Sequence, residues 1–262
     1  MIYDIKIEEI KNIAQLAGEA ILSVYKMDFE IQYKDDKSPL TTADKVSNTI
    51  ICENLQKLYP KIPILSEENK EVPFEERKDW EYYWCVDPID GTKEFIKKNG
   101  EFTVNIALIH NSIPILGVVF APVLNDMYYA KKDMGAYLNG KKLPLEKDSS
   151  KFLVVASKSH RTEETDDFIS DLKRKHKNLT LISKGSSLKL CLVAKGEANV
   201  YPRIAPTMEW DTAAAHAIVL ESGKNVFVYE SKIDTLDYFN NENLKQLMYN
   251  KKNLLNSSFV VA

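Results

Sequence analysis

Residues 84–95 read WCVDPIDGTKEF. Two aspartates, Asp87 and Asp90, flank Pro88-Ile89, and Gly91 and Thr92 follow at once. The run before them, EYYWCV, is apolar and aromatic and reads as a buried strand that stops at Asp87. Like charges packed into one turn cost energy, unless a cation or a donor-rich ligand offsets them.

Outward from this turn the chain divides into two rhythms. Downstream, FTVNIALIH (102–110), IPILGVVFAP (113–122) and DMYYAKK (126–132) are strand-like runs separated by turn residues, an antiparallel meander. Asn139-Gly140 is a hairpin signal. Upstream, Ile10, Ile13, Ala14, Ala17, Ala20, Ile21 and Val24 have helical spacing, so residues 5–26 are predicted as an amphipathic helix. A second helix is expected to begin near Thr42 or Ala43, with Thr41 or Thr42 as N-cap, and to stop before Pro60. KIPILSEE (61–68) reads as a short buried strand ending in acid. Past the polar stretch KKLPLEKDSS (141–150), strands and helices alternate. FLVVAS, LTLIS and ANVYP are strands, and NVFVY is the last clear one. Residues 162–174, SSLKLCLVAK and DTAAAHAIVLES are helices, the last two stopped by Gly196 and Gly223. The expected class is α/β, with an antiparallel-sheet half (1–145, α+β) and an α/β half (146–262) in one compact unit.

The 262 residues are 44% hydrophobic, enough for a packed core. A formal net charge of -3 argues against a nucleic-acid partner. Cys52, Cys85 and Cys191 are far apart, with no CxxC, so free thiols are expected rather than a disulfide framework or a thiolate zinc site. MIYDIKIEEI has no basic n-region, and no apolar run approaches the ~20 residues of a membrane span. The expected location is the cytoplasm.

The acidic residues share one placement. Glu67 and Glu68 follow a strand, Asp87 ends one, and Asp44 and Asp211 lie in the first turns of helices. Strand ends and helix starts are where side chains of separate elements meet at a sheet edge. A carboxylate cluster without a matching His or Cys set suits a hard cation, Mg²⁺ above all. If a helix begins at GTKEF, its backbone N–H groups form a phosphate site facing the metals, and Gly91 lets that backbone come close. Thr92 could hold an attacking water, with Asp44 to orient its hydroxyl and take the proton. Taken singly the residues say less. Asp-Pro turns are common, Glu67-Glu68 alone reads as a solvated turn, and Asp211 alone reads as a helix cap. A calcium loop is a poor fit, because Pro88 intervenes and the twelfth position from Asp87 is Lys98. His216, among alanines, reads as a packing residue, His110 and His176 as surface residues, and Trp210 as a wall or core residue.

SEE at 66–68, DPIDGT at 87–92 and WDTAAA at 210–215 resemble the inositol monophosphatase superfamily of Mg²⁺-dependent, lithium-sensitive phosphatases. KSPLTTAD (37–44), DGTKEFI (90–96), SKSH (157–160) and GSSLKLCLVAKGEANVYPR (185–203) are most similar to its branch of bacterial 3′(2′),5′-bisphosphate nucleotidases of sulfur assimilation. Lys93-Glu94 stands where inositol monophosphatases usually have Thr-Asn. The resemblance implies a layered αβαβα sandwich and removal of the 3′-phosphate of adenosine 3′,5′-bisphosphate, with the sulfated parent nucleotide as a second substrate. It implies two or three Mg²⁺ ions on Glu67, Asp87, Asp90, Asp211 and the Ile89 carbonyl, with inhibition by lithium. Asp44, Thr92 and Glu67 would act on the water, and the Gly91 and Thr92 amides would hold phosphate. His160, Ser187, Lys189 and Arg203 would contact the nucleotide and its 5′-phosphate; Lys158 stands where many relatives have arginine. The expected partner is a small nucleotide bisphosphate, with monomer and homodimer both open; peripheral attachment at the inner membrane is an option among relatives, but no anchor shows in this sequence. An inositol or sugar phosphatase on the same scaffold is the nearest alternative, and a silent phosphonucleotide-binding protein is the alternative outside enzymes.

Overall fold

The computed structural model describes residues 4–27, 31–33, 39–145, 151–157, 161–240 and 243–262. Its helices are α1 (Ile7–Tyr25), α2 (Thr42–Leu58), α3 (Phe74–Arg77), α4 (Thr92–Ile96), α5 (Glu163–Lys175), α6 (Leu188–Ala194), α7 (Glu209–Glu221) and α8 (Asp237–Asn240). The strands of the first part are β1 (Ile31–Tyr33), β2 (Pro39–Thr41), β3 (Ile64–Ser66), β4 (Tyr82–Asp90), β5 (Thr103–His110), β6 (Ile113–Ala121), β7 (Asp126–Lys131), β8 (Gly135–Leu138) and β9 (Lys141–Lys142). Those of the second are β10 (Phe152–Ala156), β11 (Leu179–Ser183), β12 (Tyr201–Arg203), β13 (Val226–Val228) and β14 (Phe259–Val261).

Strands β3 to β9 form one seven-stranded sheet in sequence order. Its β4–β9 part is the antiparallel meander expected from the sequence, with the β8–β9 hairpin at Asn139-Gly140. Only β3 joins it in parallel, on β4. Alternation sorts the side chains to two faces. Trp84, Val86, Val104, Ile106, Leu108, Val118 and Phe120 pack with α1 and α2. Tyr83, Cys85, Ala107, Ile109 and Val119 face α6 and α7. The second face is lined with small residues because α7 lies close against it. A Cβ on Gly117 would stand 2.1 Å from the Ala214 carbonyl oxygen, so only glycine fits there.

Helix α7 is apolar all round, as its AAAHAIVL run requires of a helix between two sheets. Its far side meets Val155, Val226, Phe259 and Val261 of a second strand layer. There β10 and β11 pair in parallel, and β12-β14-β13 form an antiparallel sheet. A parallel bridge from Val154 to Val200 joins the two sets. Helix α5 covers the outside through Phe168, Ile169 and Leu172. The layers therefore run helix, sheet, helix, sheet, helix.

Two sequence expectations need correction. NVFVY is not the last strand: β14 follows at the C-terminus and fills the gap between β12 and β13. And β4 does not stop at Asp87. It pairs on through Asp87↔Asn105 and Asp90↔Thr103, with a bulge between them. The bulge accommodates Pro88, which cannot donate to the ladder.

Candidate active site

The bulge explains the paired aspartates. It interrupts the two-residue alternation, so Asp87 and Asp90, three residues apart, both reach the cavity at this end of the sheet. That cavity has a volume of about 500 Å³. Strand β3 ends one residue before Glu67, and α7 delivers Asp211 from the next layer. One carboxylate oxygen from each of Glu67, Asp87 and Asp211 lies within 4.8 Å of the others. Glu67, not its neighbour Glu68, belongs to this group. Burial pushes the Asp87 carboxyl well above its ordinary range, and Glu67, Asp90, Asp211 and Asp44 push it further. Burial does the same to Asp211, with Asp90 and Glu67 adding to it. Such a crowding of buried negative charge is what a hard, oxygen-loving cation would relieve.

Two of the acids sit at helix starts in one arrangement. Asp44 and Asp211 are each the third residue of their helix and turn one oxygen back to cap it. Asp44 Oδ2 accepts from the Thr41 amide at 2.7 Å and from the Thr41 hydroxyl at 2.6 Å. Asp211 Oδ2 accepts from the Met208 amide at 2.8 Å. Satisfying the helix N-terminus in this way fixes each carboxylate's orientation. Asp44 Oδ1 is 3.2 Å from Thr92 Oγ1, which also lies 3.3 Å from the Ile89 carbonyl oxygen. Gly91 makes the sharp entry into α4 at φ 94°, in the left-handed region.

The cavity also has a basic lining. Lys189 and Arg203 both line the cavity and both are largely buried. Lys189 Nζ donates to the Ser186 carbonyl at 2.5 Å, and burial pulls its pKa down to about 8, with Arg203 adding to the fall and Asp90 opposing it. Arg203 Nη2 donates to the Pro206 carbonyl at 2.8 Å, while its buried Nε has no hydrogen-bond partner among the described residues. A buried donor left unpaired is costly, and an anion would satisfy it.

Asp44 is buried and meets the site through Thr92 rather than lining the cavity, and two further predicted residues are placed differently from the rest. Ser187 does not line the cavity; Ser186 forms the wall there, and the Ser187 hydroxyl is spent inside the protein on Asp90, Asp211 and Asn105. Asp90 lines the cavity but stands apart from the three-carboxylate group, its Oδ2 turned to Ser187. His160 and Lys158 lie outside the described residues. Sequence reading missed Glu94, Glu101, Lys184 and Tyr201, which also line the cavity. Glu101 clasps the rim, accepting from Lys184 Nζ at 3.0 Å and from the Gly185 amide at 2.9 Å. Nothing in their sequence context separates these residues from solvated charges. Trp210 walls a second cavity on the far side of Glu67, and His216 is buried against the Tyr249 hydroxyl at 2.9 Å.

The matches to known proteins fall on this fold. Residues 6–259 match the model of the inositol monophosphatase family, and the chain belongs to that family. Within it, the chain is 47% identical over 240 residues to the 3′(2′),5′-bisphosphate nucleotidase CysQ of Salmonella typhimurium, covering 88% of this chain and 93% of that one. The crystal structure of CysQ from Bacteroides thetaiotaomicron superposes with a TM-score of 0.84 at 43% identity, over 97% of this chain and 96% of the other. The suhB protein of Bartonella henselae, at 20% identity and a TM-score of 0.75 over 97% and 92% of the two chains, shares the fold. Among the described residues, no helix is long and apolar enough to cross a membrane.

Proposed function

We propose that this chain is a Mg²⁺-dependent 3′(2′),5′-bisphosphate nucleotidase that hydrolyses the 3′-phosphate of adenosine 3′,5′-bisphosphate to give AMP and phosphate. One observation carries the reading beyond the family: a single cavity is lined both by the carboxylate group and by the buried pair Lys189 and Arg203. A monophosphate of a small polyol needs no second anion site, whereas a nucleoside bisphosphate does. The similarity to the CysQ nucleotidases points the same way.

In this reading the residues up to about 145 supply the chemistry and those after it read the nucleotide, with Asp211 as the exception. Glu67, Asp87, Asp90 and Asp211, with the Ile89 carbonyl, have the all-oxygen donor set that suits Mg²⁺. Bound there, the metal would polarise the phosphoryl oxygens and acidify the attacking water. The Gly91 and Thr92 amides hold the departing phosphoryl group. Thr92 positions the water, and Asp44, whose Oδ2 is held by the Thr41 amide and hydroxyl, accepts the proton through the Thr92 hydroxyl. Glu67 assists at the water from the facing strand end. A P–O bond to the water oxygen forms as the bond to the ribose 3′-oxygen breaks; one water proton goes to Asp44, and the leaving 3′-oxygen takes its proton from solvent. Lys189 and Arg203 hold the 5′-phosphate, with His160 assigned there from the sequence pattern. The sulfated 3′-phosphoadenosine nucleotide is expected as a second substrate, lithium is expected to inhibit, and the reaction would recycle the nucleotide product of sulfur metabolism.

Phosphorus NMR of the product tests this orientation. A remaining 5′-monophosphate resonance is expected. A remaining 3′-monophosphate would reverse the substrate in the cavity and refute the assignment of Lys189 and Arg203.

A further inference from the structure

Ser187 sits at the junction of four elements. Its amide donates to Asp90 Oδ2 at 2.5 Å, and its hydroxyl lies 2.7 Å from the same oxygen. The hydroxyl is also 2.7 Å from the main-chain oxygen of Asp211. From the third side, Asn105 Nδ2 donates to it at 2.8 Å and reaches Asp90 Oδ2 at 3.5 Å. The residue is 1% exposed. Ser186 before it takes a left-handed backbone, φ 47°, which is uncommon outside glycine and marks the turn that aims the Ser187 amide inward.

Asp90 Oδ2 accepts from the Ser187 amide, with the Ser187 hydroxyl and Asn105 Nδ2 also within reach, so its other oxygen is the one left to face a ligand. The single proton of that hydroxyl bridges Asp90 Oδ2 and the Asp211 carbonyl, tying β4 to the start of α7. We infer that Ser187 is a positioning residue, which sets Asp90 of β4 and Asp211 of α7 in register for a divalent cation and does not touch the nucleotide. This inference rests on the metal reading above. A carboxylate ligand whose other oxygen is hydrogen-bonded keeps a fixed orientation, and loss of such an outer partner commonly weakens metal binding about 10- to 100-fold.

The test uses the full chain and Mn²⁺ as a paramagnetic substitute for Mg²⁺, with free ion counted by electron paramagnetic resonance. Wild type is expected to bind Mn²⁺ and Asp87→Asn to lose binding. Ser187→Ala is expected to raise the Mn²⁺ dissociation constant about 10- to 100-fold. Ser187→Cys, which keeps a weak donor at similar size, should fall between them and guards against a folding defect in the alanine variant. At saturating Mg²⁺ the KM for adenosine 3′,5′-bisphosphate should match wild type in both. Unchanged Mn²⁺ affinity in Ser187→Ala overturns the inference, as does a raised KM at saturating metal, which would make Ser187 a substrate contact. If wild type and Asp87→Asn bind Mn²⁺ equally, the metal reading itself fails.

Discussion

Thr92 Oγ1 lies 3.2 Å from Asp44 Oδ1, and the other oxygen of that carboxylate is held by both the amide and the hydroxyl of Thr41. The acid is thus rigid on one side and presented to Thr92 on the other. General-base groups of this kind contribute about 10²- to 10⁴-fold. Thr92→Ala and Asp44→Asn should each lower kcat by about that factor with little change in KM. Asn at position 44 can still accept from Thr41, so the variant should fold. Thr92→Ser keeps the hydroxyl and should retain most activity. Steady-state kinetics check this, and equal losses in Thr92→Ser and Thr92→Ala would remove the hydroxyl from the mechanism.

Asp87 is buried among four other acids, and its ionised form costs the metal-free protein stability. In EDTA, Asp87→Asn should therefore melt higher than wild type. The order should reverse in excess Mg²⁺, because a cation that binds only the native state stabilises wild type alone. Melting curves with and without metal decide it. A metal-free variant less stable than wild type would contradict the crowding.

Arg203, which lines the cavity with the carboxylates, carries a buried Nε with no partner among the described residues. A charged hydrogen bond to phosphate is worth about 1.5–3 kcal/mol, so Arg203→Ala should raise KM for the bisphosphate about 10- to 100-fold. A simple phosphate monoester, lacking the second anion, should be little affected. Equal effects on both substrates would take Arg203 out of the 5′-phosphate site.

His216 is neutral in the core, its pKa drawn down to about 3 by burial. Free imidazole sits near 6.5, so below that pH the unfolded chain takes a proton that the native one refuses. The stabilisation is complete at neutral pH and is lost progressively as pH falls from about 6.5 toward about 3. Between pH 7 and pH 5 this amounts to about 2 kcal/mol, or a few degrees in Tm for a chain of this size. His216→Gln cannot titrate and should show a shallower fall over the same range. Parallel curves for the two proteins would show that His216 is protonated in the native state.

Much of this was readable in the chain because local chemistry and tertiary role coincide. The Thr41 cap over Asp44 and the acid that follows β3 at Glu67 come from patterns a few residues long, and Glu67 lines the cavity while Asp44 meets it through Thr92. The continuation of β4 through Pro88 was not readable, since a proline between two acids looks like a turn until Asn105 and Thr103 supply the pairing strand. β14 was missed because its three residues acquire meaning only between β12 and β13. Ser187 shows the same limit. A serine in a GSSLK segment looks like a phosphate donor, and only the approach of Asp90, Asn105 and Asp211 from three other elements directs its hydroxyl inward.

The central claim is that carboxylate chemistry and a second anion pocket share one cavity. Phosphate release in Mg²⁺, with and without lithium, tests it most directly, using adenosine 3′,5′-bisphosphate, inositol 1-phosphate and fructose 1,6-bisphosphate side by side. A large preference for the nucleotide, suppressed by lithium, is the predicted result. A preference for inositol or fructose phosphate would contradict the account of Lys189 and Arg203.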